Sequence, residues 1–105
     1  MIEMKPSQIV VKRNDGGRPL RFEGRLISQA EDARGTDRHE VRVYLTRGGR
    51  IVVAHTHHLP WEGPFLQARV VPSAEWVPTV LADFGAPPRI RSEIFEQLGL
   101  FEDVD

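Results

Sequence analysis

The sequence predicts an α+β domain, an antiparallel meander sheet of four to five strands followed by one or two C-terminal helices packed on one face. Three observations lead there. Residues 8–71 hold β-branched runs and stretches of period two, broken by glycine-rich turns. After Pro72 the apolar residues recur at helical spacing. The strand connections are short, which favours neighbours in sequence pairing in order. At 105 residues the chain is read as a single domain, 1–105, with a flexible lead-in over 1–7 and an acidic tail over 99–105.

Gln8 to Lys12 is a short, β-branched first strand, and Asn14-Asp15-Gly16-Gly17 is a turn whose residues tolerate positive φ. From Pro19 to Ala30, Leu20, Phe22, Gly24 and Leu26 alternate with Arg21, Glu23 and Arg25, the signature of a half-buried strand. Gly24 in its middle predicts a bulge or a close approach by another element. Glu31 to Asp37 reads as a polar loop around Gly35.

Next comes a hairpin, His39 to Trp61, with Gly48-Gly49 as a two-residue turn. That turn sets Arg47 opposite Arg50, Leu45 opposite Val52, Val43 opposite Ala54 and Val41 opposite Thr56. The other face then pairs Tyr44 with Val53, Arg42 with His55 and Glu40 with His57. In this register Tyr44, Ile51 and Val53 share a second apolar face that needs cover, and a second subunit is the expected cover.

Pro60, Gly63 and Pro64 break the strand, and Trp61 is expected to pin the loop to the body. Phe65 to Val71 forms a further strand, ended by Pro72. Trp76, Val77, Val80, Leu81 and Phe84 fall at helical spacing before Gly85. A last helix starts at Pro88, carries Ile90, Ile94, Phe95 and Leu98 on one stripe, and stops at Gly99. The two apolar residues of the tail, Phe101 and Val104, are expected to dock.

Composition excludes several classes. Cysteine is absent, so there are no disulfides, thiolate metal sites or cysteine nucleophiles. The longest apolar run is Ile51 to Ala54, which spans no membrane, and the start of the chain does not read as a signal peptide; the cytoplasm is the expected compartment. The net charge of −1 argues against an obligate polyanion binder. The charge is split, however. Residues 1–50 hold 11 Lys/Arg against 7 Asp/Glu, and residues 51–105 hold 3 against 8, so the halves can neutralise each other within one fold or across a dimer.

Three constellations bear on function. His55 and His57 point the same way on a strand, about 7 Å apart, and the expected register adds Glu40, giving a metal or acid–base site of His55, His57 and Glu40. In that register His39 faces away. Arg21, Arg25 and Arg42 with Tyr44 form a basic face able to hold phosphates and stack a base, although Glu23 and Glu40 interrupt it. The dimer surface is Tyr44, Ile51 and Val53. No nucleophile motif occurs, and the Gly-Gly pairs are turn chemistry, so no cofactor is implied. The reading placed first is a non-enzymatic interaction module that self-associates or binds another protein. A metal site stands second and nucleic-acid contact third.

The residues Arg18 to Leu26, the strand Val43-Tyr44-Leu45-Thr46-Arg47 leading to Gly49-Arg50 and Ile51-Val52, a Pro-led helix near the end, and the closing Glu102-Asp103-Val104-Asp105 resemble the C-terminal part of the EXLDI family. That family is named for a terminal E-x-L-D-I motif; Glu102 and Asp105 match it, and Val104 stands where leucine is usual. The resemblance covers residues 10–105 and implies a small domain without an established activity.

Overall fold

A computed structural model describes residues 8–104, so the lead-in expected over 1–7 and the terminal residue 105 lie outside the described residues. Five strands run β1 (Gln8–Val11), β2 (Leu20–Arg34), β3 (Asp37–Thr46), β4 (Ile51–Leu59) and β5 (Gly63–Val71). They pair antiparallel in the order β1-β2-β3-β4-β5. A single 3₁₀ turn (Ala74–Trp76) leads into α1 (Val77–Phe84), and α2 (Pro88–Leu98) follows. The α+β meander with two C-terminal helices is thus the observed architecture. No helix among the described residues is long and apolar enough to cross a membrane.

The helices end where the sequence places their stops. Gly85 and Gly99 both take left-handed φ, 72° and 68°, and their N–H groups turn back onto carbonyls of the last turn. Both helices lay their apolar stripes on one face of the sheet. Leu81, Ile90 and Ile94 are fully buried there against Val41, Val43 and Val53. Gln97 of α2 serves the open edge of β2: its amide accepts from the Gln29 N–H at 3.1 Å and donates to the Gln29 carbonyl at 3.0 Å. A side chain thus takes the place of a sixth strand.

β2 and β3 differ from expectation in length. The segment Glu31 to Asp37, expected as a loop, is strand except for a two-residue turn at Gly35-Thr36, with Gly35 at φ 60°. A primed hairpin turn needs positive φ at its first central residue, and glycine supplies it. Gly24 confirms the close approach: a Cβ there would lie 2.3 Å from the Leu45 carbonyl oxygen. The bulge sits just beyond, between Leu26 and Ser28.

The β3–β4 register also differs, by one residue. The loop is three residues, not two. The Gly49 N–H donates to the Thr46 carbonyl at 2.9 Å, and Thr46 pairs with Arg50, its N–H donating to the Arg50 carbonyl at 2.8 Å. Gly49 takes φ 86°, the left-handed position of a turn followed by a bulge. Val43 therefore pairs with Val53, Tyr44 with Val52, Val41 with His55 and His39 with His57. Since side chains alternate, a slip of one residue reassigns the partners on both faces.

The second face is covered by the chain itself. β1 and the start of β2 fold over it, and Val11, Tyr44, Val52 and Ala68 form a second small core with Ile9, Leu20, Phe22 and Ala54. The β1–β2 connection reaches across to the far edge strand. The Asn14 N–H donates to the Leu66 carbonyl (2.9 Å), Asn14 Oδ1 accepts from the Leu66 N–H (2.7 Å), and Asp15 accepts from the Ala68 N–H (3.1 Å). The exposed edge of β5 is thereby capped, which blunts edge-to-edge pairing. Two smaller expectations are corrected. Trp61 stands 92 % exposed and pins nothing, and in the tail Leu100 packs on the core while Phe101 and Val104 are exposed.

Candidate metal centre

The site lies at the end of the sheet away from the Gly48-Gly49 loop. The longer β2 sets Asp32 beside His39, and the shifted register sets His39 beside His57. One row on the helix-bearing face thus runs Asp32, His39, His57. The next row runs Ala30, Val41, His55, Gln67. Asp37 opens β3 two residues before His39, so it lies on the same face.

The three imidazoles stack. His39 and His57 have centroids 4.0 Å apart with planes 14° apart, and His55 lies 5.2 Å from His39 and 6.2 Å from the Phe84 ring. Hydrogen bonds fix their roles. Gln67 Nε2 donates to the Phe84 carbonyl at 3.1 Å, which makes that atom the amide nitrogen, and it lies 2.9 Å from His55 Nδ1. His55 Nδ1 is therefore the acceptor, and its ring proton sits on Nε2. That Nε2–H is 3.0 Å from His39 Nδ1, which must accept it. His57 Nε2 donates to Asp37 Oδ1 at 2.8 Å.

Burial sets the electrostatics. His55 is only 3 % exposed. Desolvation, followed by repulsion from His39 and His57, pushes its pKa down to about 4, so the ring is neutral at physiological pH. Desolvation and the charge of His57 also lower His39, against a weaker opposing pull from Asp37 and Asp32. The hydrogen bond from His57 holds the Asp37 carboxyl below its usual range.

Donor atoms of Asp37, His39 and His57 all lie within 4.8 Å of one another. Two imidazoles and a carboxylate are the ligand set of zinc and other first-row divalent ions. The group borders a cavity of about 260 Å³ between the β2–β3 hairpin and the start of α2.

The structure keeps part of the expected site and replaces the rest. His57 stays. His55 points to the same side but is committed to Gln67 and His39. Glu40 pairs with Thr56, lies on the opposite face and forms an ion pair with Arg42. His39 and Asp37 take the places expected of His55 and Glu40. The signal that finds them is Gly35-Thr36: read as a hairpin turn, it pairs Arg34 with Asp37 and carries Asp32 to His39.

The basic face separates too. Arg21, Arg25 and Arg42 are exposed, but Tyr44 is 8 % exposed with its ring edge-on to Phe22 at 5.6 Å, closed to any base. Arg25 pairs with Leu45, whose side chain joins the helix-side core, whereas Arg42 lies on Tyr44's face. Tyr44, Ile51 and Val53 do not form one surface either. Ile51 and Val53 are buried in the core shared with the helices, and Tyr44 is buried in the second core. Compared with known proteins, the chain matches no family model, no curated protein and no solved structure.

Proposed function

We propose that this domain binds a divalent first-row metal ion through Asp37, His39 and His57. The observation that supports this most is the convergence of three donor atoms within 4.8 Å. Ligand atoms around tetrahedral zinc stand about 3.3 Å apart, so small side-chain rotations close the set. Three protein ligands leave a position open, and the adjoining cavity gives it access. His39 can offer Nδ1 to a metal only by giving up the hydrogen bond from His55, so loading and the His55 contact compete.

Calorimetric titration of untagged protein with zinc, cobalt and nickel tests the proposal. One equivalent is expected to bind. His39→Ala and His57→Ala are each expected to weaken binding by ~100-fold or more, while Glu40→Ala leaves it unchanged. The reading fails if wild-type protein takes up no metal, or if Glu40→Ala weakens binding as much as His57→Ala does.

One observation favours a second reading, a protein-interaction module. The β4–β5 turn presents Trp61 at 92 % exposure with Phe65 at 40 % close behind, and exposed tryptophans are frequent anchors of protein interfaces. If the partner is a second copy, sedimentation at high micromolar concentration shows association that Trp61→Ala abolishes. A monomer unaffected by Trp61→Ala removes self-association through this turn.

A further inference from the structure

We infer that the cavity between the β2–β3 hairpin and α2 binds a small zwitterion, an ammonium group joined to a carboxylate, as in a free amino acid. This goes beyond the metal reading and does not rest on it.

The floor calls for a cationic donor. Asp32 lines the cavity with its side chain 5 % exposed. Among the described residues its carboxylate accepts no hydrogen bond and is met by one ion pair. The nearest cation is Arg34 Nε at 3.6 Å, which is an ion-pair distance and too long for a hydrogen bond. The carboxylate lines the cavity with only this loose ion pair to hold it, and the cavity is the direction from which a closer donor can reach it. An ammonium group carries the charge and the three N–H donors that Asp32 lacks.

The mouth calls for an anion. Arg34 reaches it with its side chain 77 % exposed, and Arg89 is exposed and has no ion-pair partner among the described residues. Arg89 sits in the first turn of α2, which has no side-chain cap and no acidic residue. The partial positive charge of a helix N-terminus disfavours arginine there, so helix stability does not explain its position. Arginine beside uncapped first-turn amides is suited to a carboxylate. Pro87 and Pro88 supply a short apolar wall between the two ends. A volume of about 260 Å³ is below the usual range for drug-sized ligands and suits a molecule of amino-acid size.

The test is thermal shift and calorimetry on the full chain after chelator dialysis. Each of the twenty amino acids is the probe, with its decarboxylated amine and deaminated acid as controls. At least one amino acid is expected to raise the melting temperature by about 4 °C at saturating concentration, and its two controls to give less than about a third of that shift. Asp32→Asn is expected to abolish the shift. Arg89→Gln, at an exposed position, is expected to weaken binding about tenfold and serves alone if Asp32→Asn does not fold. The inference is overturned if no amino acid shifts the protein, or if Arg89→Gln binds as wild type does. It is also overturned if the shift needs added zinc and disappears in His57→Ala, because the occupant then sits on the metal. That last result leaves the metal reading standing, whereas a shift in chelated protein without any zinc uptake removes the metal reading alone.

Discussion

Val53→Asp is expected to abolish the cooperative folded state. Val53 is fully buried at the centre of the sheet, paired with the equally buried Val43 and covered by Leu81, Ile90 and Ile94. The cation beside an aspartate there, Arg69 on β5, is already held by Asp83 at 2.8 Å. Burying an unpaired charge belongs to the small group of substitutions that cost more than about 4 kcal/mol. Domains of this size have about 5–15 kcal/mol in total. Circular dichroism should show no thermal transition, or one lowered by tens of degrees. Val10→Asp, at a position 56 % exposed, is the control and should cost less than about 1 kcal/mol. The outcome separates two views of the same residue. On a dimer surface the aspartate would leave a folded monomer; in the core it leaves no fold.

Acidification is expected to remove about 3 kcal/mol between pH 6.5 and pH 4. His55 is neutral in the folded chain down to about pH 4, against an ordinary value of 6.5. Below pH 6.5 the unfolded chain gains a proton that the folded chain refuses, so stability falls with each step down in pH. At 1.36 kcal/mol per pKa unit the shift amounts to about 3 kcal/mol, and the loss levels off near pH 4. His39, also lowered, acts in the same direction. Asp37 is lowered by His57, so its contribution is present above its ordinary value of 3.8 and lost only below it, outside this window. Urea midpoints from pH 7.5 to 4 measure the effect, and His55→Gln should flatten most of it. A wild-type midpoint that does not move across this range would mean that the ring is hydrated in the folded chain.

Much of the architecture was written locally. The alternation of Leu20, Phe22 and Leu26 with Arg21, Glu23 and Arg25 marks β2, and Gly85 and Gly99 mark the helix ends, because each signal depends on the backbone of a few neighbouring residues. The candidate site was less legible. His57 belongs to both the expected and the observed cluster, but its partners depend on a loop length, and Gly48-Gly49 fits loops of two and of three residues equally well as a string of letters. The choice of three residues pairs Leu45 with Ile51 and His39 with His57. Asp32 and Asp37 were hidden by the polar run around Gly35, which has the composition of a loop yet continues two strands through a two-residue turn.

By itself the sequence determined the element types, their order and the meander, since period, turn residues and short connections are local properties. Only the tertiary structure decided which residues meet. Helix packing selects the face that carries Val41, Val43 and Val53, and the β1–β2 segment closes the other face by reaching β5 through Asn14 and Asp15. Burial under α1 then makes His55 a neutral donor and leaves Asp37, His39 and His57 grouped beside the cavity. The physical reason is that register and burial are set by contacts between segments far apart in the chain, and a one-residue slip, invisible in local periodicity, exchanges every partner across the pair.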